Sequence, residues 1–433
     1  MRAVLMLGAV LGLAAFTMPE IGVSADTGLT AVWQPGGGAQ WVKWGMSSSD
    51  FKTQDLAYFN QGLRIQSLSI HNGSIAAVWR PGSGTQWVKW GLAFPDFKTQ
   101  DLAYFNQGLR ITALVVDGGQ VGAVWRPGSG TQWVQVGLTG DQFKTQDLAY
   151  FNQGLRIAAI AVSGGKLSAV WRPGSGTQWV KWGMSGSDFA AQDNAYFAQG
   201  LRLAAVANEN GQFAAVWQPG SGTQWVAQNF CAVDFKTEDG AFFSQGLRLS
   251  AIAMQDGGAS PWGYPWQNGV TFPVYQGNNS PPPNSHNGSQ AYAFDFGLPS
   301  DTTIRATRAG VVEWTQSILT KHYDPSSPTT PANTPFPNGS LQNWGNAVRI
   351  RHDGGFTSWY FHIKPNGVLV NVGDHVSAGQ PIAKSDNTGR TSGPHLHFQV
   401  QADSINWGQS VPISFNNCEV PVTNDSVTSH TGN

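Results

Sequence analysis

The chain has 433 residues and a net charge of −1, and only 12% of its side chains are charged, about half the usual share of a soluble domain. No stretch is a basic run, so nothing points to nucleic acid or an anionic membrane as a partner. The 53 glycines and 19 tryptophans suggest many short strands and turns rather than long charged helices.

The first residues read as a targeting segment. Arg2 gives a minimal positive start, Ala3 to Met18 is an uncharged apolar run, and Val23-Ser24-Ala25 is a small-residue cleavage site. Spanning a bilayer takes about 20 apolar residues, so residues 1–25 are expected to be a cleaved signal peptide. The mature protein is then secreted, with no membrane contact, and is expected to be a monomer.

From residue 26 the chain repeats itself. Trp33, Trp79, Trp125, Trp171 and Trp217 recur every 46 residues. So do Trp41, Trp87, Trp133, Trp179 and Trp225, with the carboxylates Asp55, Asp101, Asp147, Asp193 and Asp239 and the cations Arg64, Arg110, Arg156, Arg202 and Arg248. A fixed period of this size signals a repeat architecture. In the second copy, Ile75 to Trp79 reads as a strand and Pro81 to Gly84 as a turn. Thr85 to Trp90 reads as the returning strand, Asp96 to Asn106 as a helix carrying Phe97, Leu102 and Phe105, and Leu109 to Val116 as a third strand. Each copy is strand, strand, helix, strand. The first copy lacks a preceding strand and the last ends on a spare one, Leu247 to Met254, which favours a closed five-unit, propeller-like ring over an open stack.

The recurrent tryptophans are expected in the core, and each Asp/Arg couple is expected as an ion pair between helix and following strand. The alternative is five equivalent pockets, in which tryptophan faces and Gln40, Gln86, Gln132, Gln178 and Gln224 hold sugar rings. Cys231 and Cys418 either pair, as in an oxidising compartment, or are two unrelated buried thiols.

The period breaks after Met254. Residues 26–256 are read as the repeat domain, 257–269 as a linker, 270–417 as a second domain and 418–433 as a tail. The second domain reads as strands split by glycine turns: Gly310 to Thr315, Ala347 to His352, Phe356 to Ile363 and Gly393 to Val400. A proline-rich insert from His322 to Asn343 interrupts it and is expected to wall a groove. His395 and His397 lie two apart on one strand and so share a face. Asp295 follows the alternating run Ala291 to Phe294, His286 lies upstream, and His362 ends Trp359-Tyr360-Phe361. Two histidines and a carboxylate with one open position suit a catalytic zinc. His352, beside the turn Asp353-Gly354-Gly355, is read as structural or as supporting the site, and His71, His322 and His375 as solvated.

Residues Asn268 to Ile413 resemble the lysostaphin/LytM-type peptidases. The matching pieces run in order: Ala291-Tyr292-Ala293-Phe294-Asp295-Phe296, Ala306 to Val312, Gly345 to Val348, Tyr360-Phe361-His362, Gly373-Asp374 through Gly379-Gln380-Pro381-Ile382, Thr388-Gly389, and Ser392-Gly393-Pro394-His395-Leu396-His397-Phe398. The resemblance implies a mainly β protein whose C-terminal half is an antiparallel β peptidase domain of the duplicated hybrid motif type. It implies one zinc ion on Asp295 and His397, with His395 and His362 as catalytic histidines that do not bind it. The common family pattern places the first histidine at what is Ala291 here. A longer H-x-G form fits His286-Asn287-Gly288 and makes His286 the third ligand. The implied function is a zinc endopeptidase cutting peptides of bacterial cell-wall peptidoglycan, held to the wall through a glycan ligand of the repeats. The alternatives are an inactive peptidase-like activator and a carbohydrate-binding lectin.

Overall fold

The structure is a computed structural model that describes residues 27–280, 286–323, 344–402 and 408–430; the expected leader and residues 324–343 of the proline-rich insert lie outside these. The described chain is mainly β. No described helix is long and apolar enough to cross a membrane.

The repeats build five separate three-stranded antiparallel sheets. In the first, the strand Ser74–Pro81 lies between Trp41–Met46 and Leu63–His71; in the second, Gln120–Pro127 lies between Trp87–Leu92 and Leu109–Asp117. The middle strand of each sheet therefore comes from the following copy. This corrects the expected hairpin across Pro81 to Gly84. That loop bonds backwards instead: Gly82 N–H donates to the Gly62 carbonyl (3.0 Å) and the Gly84 carbonyl accepts from Arg64 Nε (2.8 Å). The chain thus steps on to the next sheet rather than folding back. The exchange leaves the fifth sheet short of a middle strand, and Thr27–Pro35 from the chain start fills it, between Trp225–Phe230 and Leu247–Asp256. The last strand then bonds to the first copy, Ile252 N–H to Ser67 Oγ (3.0 Å) and Met254 N–H to Ser69 Oγ (2.9 Å). First and last copies are joined, as ring closure requires.

The repeated residues explain why every unit folds alike. Trp33, Trp79, Trp125, Trp171 and Trp217 are fully buried. In the second unit Trp125 Nε1–H donates to Asp101 Oδ1 (2.8 Å), and Gln132 Nε2–H donates to the same oxygen (3.0 Å) while its Oε1 accepts from Ile111 N–H (2.8 Å). The other units repeat the Trp–Asp contact. The expected Asp/Arg ion pair is not made. Arg110 spends its guanidinium on the carbonyls of Gly130, Phe105 and Leu109 and lies 3.6 Å over the Phe105 ring, because those helix-end and loop carbonyls need donors. The repeated glutamines, spent at both ends, do not face a sugar pocket. The helix Phe94–Asn106 buries Phe97 and Tyr104 and exposes Leu102, since positions seven apart share a helix face. The second tryptophan set divides. Trp87, Trp133 and Trp179 are 46–47% exposed and stack on Tyr104, Tyr150 and Tyr196, whereas Trp41 and Trp225 are more covered.

The C-terminal half is built on one ten-stranded sheet. Its core holds Phe294, Phe296, Ile350, Tyr360, Leu396, Phe398 and Val400. The stretch expected as a linker contributes Trp262, Tyr264 and Trp266 to this core, and the stretch expected as a tail adds Val427 on a strand, Ser426–Thr428, that pairs with Thr271–Pro273. Apolar aromatic area drives both segments in.

Cys231 and Cys418 form a disulfide. It lies at a seam between the halves. The fifth repeat helix, Ala232–Ser244, docks on the C-terminal half where the other four face solvent. Glu238 pairs with Arg308 Nη1 (3.1 Å), Thr237 Oγ–H donates to the Pro412 carbonyl (2.6 Å), and buried Asp234 accepts from Ser414 N–H (3.1 Å) and Ser414 Oγ–H (2.5 Å). The corresponding second-copy residues are Ala93, Gln100 and Asp96 for Cys231, Glu238 and Asp234, so the fifth copy departs from the repeat at the disulfide and the Arg308 contact and puts a repeat aspartate to new use against Ser414.

Candidate functional site

Three adjacent strands position the site. Phe294–Phe296 pairs with Leu396–Ala402 so that Asp295 lies opposite His397, and Phe356–Val368 places Phe361 opposite His397 on the other side. By strand alternation, Phe294, Phe296, Tyr360 and Phe398 point into the core while Asp295, His397, Trp359 and Phe361 point to the opposite face. His362 would fall on the core side. Its left-handed backbone (φ 64°) breaks the alternation, at a cost worth noting for a non-glycine residue, and its ring comes to 4.4 Å from that of His395. The following turn depends on two glycines: a Cβ on Gly345 would meet the Thr388 carbonyl oxygen at 2.2 Å, and one on Gly389 would meet Gly345 N at 2.3 Å. That close approach presents the Thr388 carbonyl to His362 Nδ1 at 2.8 Å.

His286 arrives from a different element. Ala291 to Phe294 was expected to be strand, but Gly288–Gln290 is a 3₁₀ turn, and only Phe294–Phe296 is strand. The turn brings His286 over the sheet, fully buried, with Nε2 3.2 Å from Asp295 Oδ1. His397 Nδ1 is 2.9 Å and His395 Nε2 3.7 Å from the same oxygen. His286, Asp295 and His397 offer ligand atoms all within 4.8 Å of one another. Expected ligand and catalytic residues are therefore gathered in one place.

The hydrogen bonds fix which nitrogen of each ring is bare, because a carbonyl oxygen only accepts. His286 Nδ1–H faces the Gly277 carbonyl (3.1 Å), His362 Nδ1–H the Thr388 carbonyl, and His395 Nδ1–H the Gly393 carbonyl (2.9 Å). Each leaves Nε2 as a lone pair. His397 differs: Nε2 faces Gln399 Oε1 (3.1 Å) and Nδ1 faces Asp295 Oδ1 (2.9 Å), two acceptors, so Nδ1 is free to bind a metal only when the metal takes the place of its proton. His286 Nε2 and His397 Nδ1 thus converge on one carboxylate oxygen, and buried His286 Nε2 has no hydrogen-bond partner. Such a donor set is short of one cation, and a divalent metal fits it.

Electrostatics mark the same place as one that draws in positive charge, as protons where a cation would otherwise sit. Burial would raise Asp295, but His395, His286 and His397 outweigh it and hold its carboxyl well below the usual range. Burial opposes charge on His286, and Asp295 overcomes it and raises that ring. Burial, then the neighbouring His395, push His362 well down.

Sequence reasoning missed two residues. Gln276, opposite Asp295 on the strand Thr271–Gln276, donates to Asp295 Oδ2 (2.8 Å). Gln399, which sets the His397 tautomer, continues the i, i+2 face of His395 and His397, and that spacing was its signal. The other histidines lie elsewhere. His352 is buried between the Ala309 carbonyl and Ser358 (both 2.8 Å), and burial pushes it down to about 3. His71 ends a repeat strand and pairs with Asp256 (2.9 Å) rather than standing free in a loop; His322 and His375 are exposed.

Two stretches of the chain match known families. Peptidase family M23 matches residues 289–409, and a polyglycine hydrolase-like structural repeat matches residues 176–220. The peptidoglycan DD-endopeptidase ShyA of Vibrio cholerae is 33% identical over 115 residues, 27% of this chain and 20% of that one. Lysostaphin of Staphylococcus simulans is 31% identical over 129 residues, 29% of this chain and 21% of that one. The chain thus spans about a fifth of either relative's length. Among solved structures, the lysostaphin catalytic domain covers 34% of this chain and 88% of its own at 26% identity, with a TM-score of 0.23. The catalytic domain of EnpA from Enterococcus faecalis covers 34% and 94% at 23% identity, with a TM-score of 0.26. Residues 289–409 are a peptidase family M23 domain of lysostaphin type, and they follow an array of repeated sheets of which residues 176–220 match a polyglycine hydrolase-like structural repeat.

Proposed function

We propose that the protein is an exported zinc-dependent endopeptidase that hydrolyses peptide bonds of bacterial peptidoglycan, with the repeat ring holding it on the wall. The observation that carries this is the convergence of His286 Nε2, His397 Nδ1 and Asp295 Oδ1, with the bare Nε2 atoms of His395 and His362 beside them. The name of one curated relative, a peptidoglycan DD-endopeptidase, points the same way.

In this reading His286, Asp295 and His397 hold the metal. When bound, zinc polarises a scissile carbonyl and lowers the pKa of a water toward about 7. Gln276 and Gln399 orient two of the ligands. His395 and His362, each with Nδ1–H tied to a carbonyl, present Nε2 to the reacting groups. One takes a proton from the attacking water, and the other, once protonated, steadies the developing oxyanion. The disulfide fits an oxidising compartment.

The test is cleavage of a soluble cross-linked peptidoglycan peptide by the full chain. Cleavage should be abolished by a chelator and restored by zinc. Cleavage that survives metal removal sinks the proposal.

A further inference from the structure

The five seams between sheets are built alike but closed by two different residues. At the position one after the buried tryptophan, copies two to four carry Arg80, Arg126 and Arg172, while copies five and one carry Gln218 and Gln34. Each side chain reaches back to the preceding sheet. The glutamines bond there: Gln34 Nε2–H to the Leu203 carbonyl (2.9 Å) and Gln224 Oε1 (3.0 Å), Gln218 to the Ile157 carbonyl (3.4 Å) and Gln178 Oε1 (3.3 Å). The arginines instead lie over a second arginine. A Cβ at Gly82 would meet Arg64 Cγ at 2.9 Å and Arg126 Nη2 at 3.0 Å. Gly128 stands likewise between Arg110 and Arg172, and Gly36 between Arg248 and Arg80.

Three adjacent seams therefore carry an outer arginine (Arg126, Arg172, Arg80) beside an inner one (Arg64, Arg110, Arg248) around a side-chain-free loop, the Nε and Nη1 of each inner arginine being held by loop and helix-end carbonyls. The lower arginine of each pair, Arg64, Arg110 and Arg248, is only 7–8% exposed, whereas Arg156 and Arg202, under glutamines, are more open. Among the described residues no carboxylate makes an ion pair with any of the six, although Asp55 and Asp239 lie near enough to Arg64 and Arg248 to favour their charge. Arg80 bonds only the Gly37 carbonyl, and among the described residues Arg126 and Arg172 make no hydrogen bond. Burial first, and the like charge of the partner second, weaken proton binding at Arg64, Arg172 and Arg248. The other end of the same inner strands differs: there Asp117 and Glu209 accept from turn amides of the neighbouring sheet. The glutamine seams show that closing the ring does not need a cation at this position.

We infer that this arc of three arginine pairs is a binding surface for a polyanion bearing phosphodiesters at regular intervals, such as a phosphate-linked polymer of the cell wall. One guanidinium fork already satisfies both oxygens of a planar carboxylate. A second cation beside it favours a group whose charge is spread over oxygens pointing in more directions, as in phosphate. Three linked sites give avidity to a repeating polymer that no single site supplies. The choice of a wall polymer rests on the proposed function; the anion site itself does not.

The test is binding of the full chain to immobilised poly(glycerol phosphate) at about 0.15 M salt. The comparison variant is Arg80→Gln/Arg126→Gln/Arg172→Gln, which writes into three seams the residue the other two already use. The wild type should bind, and the variant should bind at least ten-fold more weakly with an unchanged Tm. Poly-glutamate of matched length should bind more weakly than the phosphate polymer. Equal binding by variant and wild type, no binding by the wild type, or equal capture by poly-glutamate overturns the assignment. Soluble-peptide cleavage, followed in the same samples, should be unchanged by the three substitutions. Its absence from the wild type would count against the proposed function and leave the binding result standing.

Discussion

Asp234 gives the sharpest stability test, because its carboxyl is buried at the seam between the two halves and touches Ser414 through both oxygens. Burial pushes it from 3.8 up to about 7. A folded-state pKa raised this far makes the protonated form the stable one. Its contribution is fully present below the unfolded value near 4 and is lost as pH rises through about 7. That gap is worth about 4 kcal/mol. The helix N-terminus, which favours a negative charge, offsets part of it. Asp234→Asn keeps the geometry: the amide oxygen still accepts from Ser414 N–H, and the amide N–H can donate to Ser414 Oγ. Thermal unfolding of both proteins from pH 4 to 8 should show the variant gaining on the wild type as pH rises, by about 4 kcal/mol over the range. Parallel curves would refute the reasoning, because other titrating groups are common to both proteins.

Asp101→Ala should cost about 3–5 kcal/mol, since it strands the buried donors of Trp125 and Gln132. Replacing Arg110 with Met should not reproduce that loss through Asp101, and equal effects in a double-mutant cycle would restore the discarded ion pair. Removing Thr27–Pro35 should open the fifth sheet and abolish cooperative unfolding of the ring, and an unchanged Tm would mean the array stands without closure. Gln399→Leu should weaken zinc affinity about 10–100-fold by releasing the His397 tautomer. Competition with a calibrated chelator measures it, and unchanged affinity counts against a positioning role.

Much of this was legible in the sequence because the features were periodic or local. The 46-residue step exposed the repeat, the missing first strand and the spare last one exposed the pairing of Thr27–Pro35 with Leu247–Asp256, and the i, i+2 spacing of His395 and His397 exposed one face of the site. What was not legible depends on which strand pairs with which. Ser74–Pro81 alternates as a hairpin partner of Trp87–Leu92 would, yet it inserts into the preceding sheet. The pairing is decided by Gly82 reaching back to the Gly62 carbonyl and by Arg64 of the earlier copy holding the Gly84 carbonyl, which no local pattern encodes. The Asp/Arg couple misled for the same reason: opposite charges nine residues apart suggest an ion pair, but the helix-end carbonyls and the buried Trp indole compete more strongly for them. Trp262, Tyr264 and Trp266 lie in a Gly/Pro-rich stretch that resembles a tether, and their burial follows from the aromatic surface that Phe272, Phe296 and Phe415 offer. Composition gave no hint of a cationic surface, because its six arginines come from all five copies and meet only in three dimensions.

The central claim is that three side chains hold a metal and two further histidines act beside it without holding it. Zinc content per chain tests this most directly, measured on purified full-length protein and on single alanine variants at His286, Asp295, His397, His395 and His362. The account predicts about one zinc per chain in the wild type and in the His395 and His362 variants, and strong depletion in the other three. A His395→Ala protein that loses its zinc while His286→Ala or His397→Ala keeps it would contradict the assignment.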